Sequence, residues 1–295
     1  KTFYTMITQG TGAVINIILD PILIFGYFGM PRMGIAGAAV ATVIGQIIAA
    51  ILALVFNLKC NRELNISMKG FRPNGHLIVQ IYKVGAPSIV VQAIGSLMTY
   101  GMNLILAAFG SAQTVFGIYF KLQSFVFMPV FGLNNGMVPI IAYNYGAGHK
   151  DRVIKTIKHS VAYGVGIMFA GLLAMHIFPA QLMRMFDAEE SLIAIGAPAL
   201  ETISLSFVFA GFCIVAGSVF QALGNGVYSM IVSVARQMCV LLPVAKLLSL
   251  SGEVTLIWWA FPIAELASVL LTSYFLVRIY RKVICHIGEP VVQDA

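Results

Sequence analysis

Residues 34–57 read GIAGAAVATVIGQIIAAILALVFN and contain no charged side chain. About 20 predominantly apolar residues suffice for a helix to cross the hydrocarbon core of a bilayer. The run is long and lacks the ten-residue alternation of a transmembrane barrel strand. This stretch therefore predicts a membrane-spanning helix and an all-α integral membrane protein.

Seven further segments share this pattern, which gives eight predicted transmembrane helices in all: 3–28, 34–57, 84–109, 115–144, 161–178, 197–223, 227–248 and 254–277. The stretch 179–196 carries several charged residues. We expect it to form a loop with a short helix on the membrane surface.

The composition excludes several classes of protein. Of the 295 residues, 59% are hydrophobic and 10% are charged, whereas soluble domains carry about 25% charged residues. A cytosolic enzyme, a disordered protein and a nucleic-acid binder are therefore excluded. The four cysteines form no CxxC pair, so neither a disulfide framework nor a metal site is predicted. No P-loop, HExxH or GxSxG motif occurs, so we expect no enzymatic activity, no cofactor and no evident protein partner.

Basic residues mark one side of the membrane. Alternate connections hold only Arg32 and Arg184, whereas the other set holds Lys1, Lys59, Arg62, Lys69, Arg72, Lys150, Arg152, Lys155, Lys158, Arg278, Arg281 and Lys282. The positive-inside rule assigns this second set to the cytoplasm. We therefore expect a multi-pass protein of the plasma membrane with both termini of the chain in the cytoplasm.

The first two predicted spans resemble the last two. FYTMI at 3–7 matches VYSMI at 227–231, and AAVATVIGQ at 38–46 matches IWWAFPIAE at 257–265. Internal repeats are common in secondary transporters. By this repeat, about four spans of a first lobe are expected to precede the chain. The predicted organisation is the end of an N-terminal lobe (1–58), a cytoplasmic linker (59–83), a C-terminal six-helix lobe (84–283) and a cytoplasmic tail (284–295).

Several motifs resemble the multidrug and toxic compound extrusion (MATE) transporters, and they occur in family order. They are NIILDP at 16–21, GIAGAAVAT at 34–42, GAPS at 85–88, NYGAG at 144–148, QALGN at 221–225 and WAFPIAE at 259–265. The resemblance covers nearly the whole chain. It implies two six-helix lobes and drug export driven by inward flow of H⁺ or Na⁺.

Asn16, Asp20 and Thr42 are the candidate coupling-cation residues. Asn16 and Asp20 are four residues apart and share a helix face, and a rise of about 1.5 Å per residue puts Thr42 of the next span at the depth of Asn16. Their oxygens suit Na⁺, and the carboxylate could instead carry a proton. Alternatively, Asp20 caps a helix end near the surface. The resemblance implies the cation site, although the first-helix Asp that accompanies it in the family is absent from this sequence.

Other branches of the family use a Glu in the seventh helix and an Asp in the tenth. Alignment of the motifs puts Gly95 and Gly211 at these positions. The resemblance therefore implies that this second cation site is missing.

Glu265, Gln46 and Arg236 are polar residues deep inside predicted spans. Glu265 and Gln46 occupy equivalent places in the two repeats, and Glu265 is a plausible partner for Arg236. Such residues could form a gate, contact substrate, or hold helices together by hydrogen bonds.

The third and fourth predicted spans combine polar side chains with aromatic and thioether ones. These residues are Gln92, Gln123, Asn134, Phe125 and Met128. Aromatic faces attract cations and Met adapts its shape. The mixture suits a cavity for flat cationic drugs, although ordinary helix packing would also explain each residue.

These observations favour secondary active efflux of cationic or amphipathic drugs by antiport with H⁺ or Na⁺, with alternating access between two lobes. The expected partners are the small-molecule drugs and the lipid bilayer. One alternative is a flippase for lipid-linked oligosaccharides, and another is a membrane scaffold without transport activity. A scaffold has no need for Asp20, Arg236 and Glu265 within its spans.

Overall fold

The computed structural model describes residues 2–60 and 74–287, and every regular element in these two ranges is helical. The chain divides into two compact units, unit 1 (Lys1–Asn74) and unit 2 (Gly75–Ala295). The division falls inside the predicted linker 59–83, but residues 59–60 and 75–83 of that linker are helical. Residues 61–73 of that linker, with Arg62, Lys69 and Arg72, lie outside the described residues, as do 288–295 of the predicted tail.

Unit 1 is a hairpin of two helices, α1 (Thr2–Phe25) and α2 (Ile35–Cys60). The turn between them begins at Gly26 in the left-handed region, with φ of 76°. Glycines let the two helices approach closely. A Cβ at Gly37 would stand 2.5 Å from the Leu23 carbonyl oxygen, and one at Gly45 would stand 2.8 Å from the Gly12 carbonyl oxygen. This close approach brings side chains of α1 and α2 within hydrogen-bonding distance.

Unit 2 contains the remaining helices. They are α3 (Gly75–Leu106), α4 (Ala112–Gly146), α5 (Lys150–Ile177), α6 (Pro179–Arg184), α7 (Glu190–Ser204), α8 (Phe207–Ala222), α9 (Gly226–Val234), α10 (Leu242–Ser249), α11 (Val254–Ile257) and α12 (Ala260–Lys282). A π-helical turn, Ala235–Leu241, joins α9 to α10. It precedes Pro243, whose ring nitrogen cannot donate to a carbonyl of the preceding turn.

The predicted span 197–223 is not one continuous helix. Its residues belong to α7 and α8, which are bent by 48° at the break between Ser204 and Phe207. Serine hydroxyls beside the break bond to nearby carbonyls: Ser204 donates to Glu201 O at 3.0 Å and Ser206 to Ile203 O at 2.6 Å. Such local bonds compete with the helical ladder. Helix α7 also begins at Glu190, inside the stretch expected to form a loop.

The number of spans depends on this bent pair. Seven helical segments in the described residues are long and apolar enough to cross a membrane, and the α7–α8 pair raises the number to eight if it forms one span. The short helix expected in 179–196 is present as α6.

An aromatic cluster packs α4 against the start of α12. Phe116 and Trp258 stack with centroids 6.5 Å apart, and Tyr119 meets Phe261 edge-on at 5.8 Å. Phe116 and Trp258 are fully buried. This packing fixes the rotation of α12 in unit 2 and therefore the direction in which its polar residues point.

Candidate functional site

Unit 2 contains a cavity of about 680 Å³ bounded by α3, α4, α8, α9, the π-helical turn and α12. Pockets for small organic ligands have volumes of about 300–1,000 Å³. Five of the predicted substrate or gating residues line it: Gln92, Gln123, Met128, Arg236 and Glu265. The structure therefore brings together polar residues from four separate segments of the sequence.

Arg236 and Glu265 form an ion pair in the wall of the cavity. Arg236 Nη1 donates to Glu265 Oε2 at 3.1 Å. The side chain of Glu265 is only 6% exposed and that of Arg236 is 28% exposed. The contact expected from sequence is thus present, and it joins α12 to the π-helical turn. Helical turns of the π type often occur at functional sites.

Three oxygen atoms on α12 have no hydrogen-bond partner within the described residues. They are Glu265 Oε1, Ser268 Oγ and Thr272 Oγ1, and all three residues are buried and line the cavity. A buried polar atom without a partner costs about 1–3 kcal/mol. The three atoms are themselves almost fully buried, so they lie just behind the surface of the cavity rather than on it. The thiol of Cys213 lies beside Ser268 and Thr272 on the facing helix α8.

Aromatic and sulfur-containing side chains complete the wall. The edge of Phe127 meets the ring of Phe207 at 5.4 Å, which holds Phe127 in place at the cavity. Tyr119, Phe131 and Met98 line the same space. A wall of this kind can bind the face of a flat cation, because the π faces carry partial negative charge.

Two predicted residues on α4 do not line this cavity. Phe125 is 73% exposed, because two positions from Gln123 in an α-helix is about 200° around the axis. Asn134 is 6% exposed and buried in the packing of unit 2, with Oδ1 unpartnered. Gln46 lies in unit 1, where its side chain is exposed on α2.

The glycines aligned with the second cation site differ in their surroundings. Gly95 lines the cavity, and a Cβ there would meet nothing within 4 Å. Gly211 lies at the contact between α5 and α8, where a Cβ would stand 3.0 Å from the Gly164 carbonyl oxygen. The neighbouring α8 residues Ala210 and Ile214, rather than Gly211, line the cavity. A carboxylate could be accommodated at 95 but not at 211.

In unit 1 the hairpin brings Asn16, Asp20 and Thr42 together. Asn16 Nδ2 donates to Asp20 Oδ1 and to Thr42 Oγ1, each at 3.3 Å, and the Thr42 hydroxyl donates to Ala38 O at 2.9 Å. The expected contact between the two helices is therefore present, and its role in cation coupling stays a prediction. Within residues 2–60 and 74–287, no group of three His, Cys, Asp or Glu residues could hold a metal ion.

Three comparisons with known proteins place the chain among similar sequences and structures. The MatE family model matches residues 87–247. The multidrug export protein MepA of Staphylococcus haemolyticus is 28% identical over 284 residues, which is 96% of this chain and 61% of that protein. MepA of Staphylococcus aureus strain MSSA476 is 29% identical over 88% of this chain and 57% of that protein. The chain thus spans about three fifths of the length of these relatives.

Solved structures of MATE transporters are also similar to this chain in fold. The MATE multidrug transporter DinF-BH superposes with a TM-score of 0.81 at 34% identity, covering 92% of this chain and 60% of that one. A multidrug resistance MATE family transporter in an outward-facing conformation superposes with a TM-score of 0.84 at 20% identity, covering 97% of this chain and 63% of that one. The second likeness shows the fold alone.

Proposed function

This chain belongs to the MatE family, and on that premise we propose that it is part of a secondary active multidrug exporter. The substrates are cationic or amphipathic small molecules, and their export is coupled to inward movement of H⁺ or Na⁺. The observation that carries this proposal is the cavity of about 680 Å³ in unit 2, in which a buried carboxylate, Glu265, retains an unpartnered oxygen. The MepA relatives, which are multidrug export proteins, support the same function.

A cationic substrate would interact with the cavity at two levels. Its delocalised charge would lie against the faces of Phe127 and Phe131, while Glu265 Oε1 would supply the opposite charge. Arg236 already neutralises Glu265 through Oε2, so an incoming cation would compete with Arg236 for this carboxylate. Release of substrate then restores the ion pair. This competition gives the site moderate affinity, which an exporter needs in order to release its cargo.

Coupling is assigned to the oxygen cluster of unit 1. Asp20 accepts a hydrogen bond from Asn16, so protonation of the carboxylate would weaken that bond. Rotation of the Asn16 amide by 180° would turn Oδ1 toward Asp20 and Thr42, which would give three oxygen ligands to Na⁺. Either event changes the link between α1 and α2. Alternating access of two lobes would convert that change into transport.

Equilibrium binding tests the assignment of the cavity. The intact protein is purified in detergent, and binding of a fluorescent cationic dye is measured by anisotropy. Glu265→Gln should weaken binding of the dye at least tenfold, because one opposite charge in a desolvated site is worth more than about 1.4 kcal/mol. Binding of a neutral dye of similar shape should change less than twofold. Glu265→Asp keeps the charge and should retain most of the affinity.

Glu253→Gln is the matched control, because Glu253 is exposed and lies outside the cavity. This variant should bind the dye as the wild type does. Tight binding of an anionic dye in place of the cationic one, or equal affinity in Glu265→Gln and wild type, would contradict the assignment.

A further inference from the structure

A second pocket lies between α4 and α5, away from the cavity described above. It is an open groove of about 590 Å³ at the end where Lys150 begins α5. Gly132 and Gly136 form part of its floor, and a Cβ at either position would meet nothing within 4 Å. The lining there also includes the apolar side chains Leu133 and Ile140. The groove is therefore large enough and apolar enough to hold an alkyl chain.

The end of the groove near the helix connection is basic. Arg152 and Lys155 are exposed, lie three residues apart on α5, and line the groove. Among the described residues, the ion pairs are Arg184–Glu190 and Arg236–Glu265, so neither basic side chain of the groove has a carboxylate partner. No acidic residue lines this pocket either. Its charge is thus complementary to an anion.

Asn144 adds a specific requirement for a hydrogen-bond donor. Its side-chain Nδ2 donates to Ile140 O at 2.8 Å, and its Oδ1 has no partner. The residue is only 8% exposed and lines the groove between the apolar floor and the basic end. A buried carbonyl oxygen of this kind is stabilised by a ligand that donates a hydrogen bond. The complementary ligand carries an anionic group, a hydrogen-bond donor and an alkyl chain.

We propose that this groove is a binding site for phosphatidylglycerol. The phosphate pairs with Arg152 and Lys155, a hydroxyl of the glycerol headgroup donates to Asn144 Oδ1, and an acyl chain follows Gly136 and Gly132 along α4. Basic pockets between membrane helices commonly hold anionic lipid headgroups. The groove ends beside the α4–α5 connection, whose basic residues the positive-inside rule assigns to the cytoplasmic surface.

Native mass spectrometry of the intact protein tests the charge part of the site. The protein is released from detergent micelles with phosphatidylglycerol or phosphatidylcholine added at equal concentration. The wild type should bind phosphatidylglycerol preferentially. The double variant Arg152→Gln/Lys155→Gln should bind it about twenty-five-fold more weakly, since each basic residue contributes about a factor of five. Lys158→Gln is the matched control, because Lys158 is exposed on the same helix but does not line the groove.

The headgroup part is tested with phosphatidylmethanol, which carries the same charge but no hydroxyl group. The wild type should prefer phosphatidylglycerol over phosphatidylmethanol, and Asn144→Ala should lose this preference while still binding both lipids. Gly136→Leu fills the groove without changing any charge, and it should weaken binding of both. Equal affinity of the wild type for phosphatidylglycerol and phosphatidylcholine, or a loss in Lys158→Gln as large as in the double variant, would overturn the proposal.

Discussion

Glu265→Gln removes the negative charge from the buried ion pair of unit 2 while keeping the size of the side chain. The glutamine carbonyl can still accept a hydrogen bond from Arg236, so the variant isolates the ionic part of the contact. Arg236 would then carry an unpaired charge at a position where its side chain is only 28% exposed. We expect the free energy of unfolding to fall.

The distance between the charged atoms sets the magnitude. At 3.1 Å and an effective dielectric constant of about 20, the Coulomb energy of two unit charges is about 5 kcal/mol. Part of this is offset because the glutamine carbonyl remains a partner and because the pair is costly to desolvate in the wild type. We expect a net loss of about 3 kcal/mol, which is in the range measured for broken buried pairs.

The chain contains a matched control for this effect. Arg184 and Glu190 form an ion pair of 2.9 Å, but their side chains are 60% and 81% exposed. Glu190→Gln should therefore cost less than about 1 kcal/mol. The two variants make the same chemical change in pairs of nearly equal length, so a difference between them reports burial.

Thermal unfolding of the intact protein in detergent, followed by intrinsic fluorescence, provides the assay. Glu265→Gln should lower the midpoint by about 5–10 °C and Glu190→Gln by less than about 3 °C. The double variant Arg236→Met/Glu265→Leu should recover most of the loss, because a packed apolar pair replaces a buried ionic one at little cost. Equal midpoints for Glu265→Gln and Glu190→Gln would refute the reasoning.

Two glycine pairs give further predictions. A Cβ at Gly171 would collide with Val126 across the α4–α5 contact, whereas one at Gly166 would meet nothing within 4 Å. In the same unfolding assay, Gly171→Ala should therefore destabilise the protein by about 1–3 kcal/mol. Gly166→Ala should stabilise it by about 0.5–1 kcal/mol. A shared sign would contradict the packing of these helices. Gly95→Phe should fill the cavity and reduce dye binding at least tenfold, while Gly117→Phe, at an exposed site outside it, should leave binding unchanged. Full binding by Gly95→Phe would show that the dye binds elsewhere.

The contacts that sequence reasoning predicted share one property. Asn16 and Thr42 lie on consecutive helices joined by a short connection, so their depths can be compared by counting residues from the turn. Arg236 and Glu265 each lie deep in a span, where an unpaired charge is too costly to leave without a partner. In both cases the expectation rests on positions counted along the helices rather than on helix rotation.

Rotation about the helix axis decides which residues share the cavity of unit 2. Phe125 and Gln123 are only two residues apart in the sequence, yet they lie on different faces of α4 and only Gln123 lines the cavity. Ser268 and Thr272 were missed, although their spacing of three and seven residues from Glu265 puts all three on one face of α12. The break between α7 and α8 has a local cause in the serine hydroxyls near 204–206. Hydropathy alone does not report it, because α7 and α8 together are apolar enough to pass as one span.

Gradient-driven efflux is the measurement that tests the proposed exporter most directly. The intact protein is reconstituted into liposomes loaded with a fluorescent cationic dye, and efflux is followed under an imposed proton gradient and then under a sodium gradient. We predict efflux that follows one of these gradients and disappears in Asp20→Asn. Asp187→Asn is the control and should retain efflux, because Asp187 is exposed and its φ of 53° is one that asparagine also tolerates. Undiminished efflux in Asp20→Asn would contradict coupling through unit 1. An absence of efflux under both gradients would contradict drug export itself and direct the next test to lipid-linked oligosaccharides.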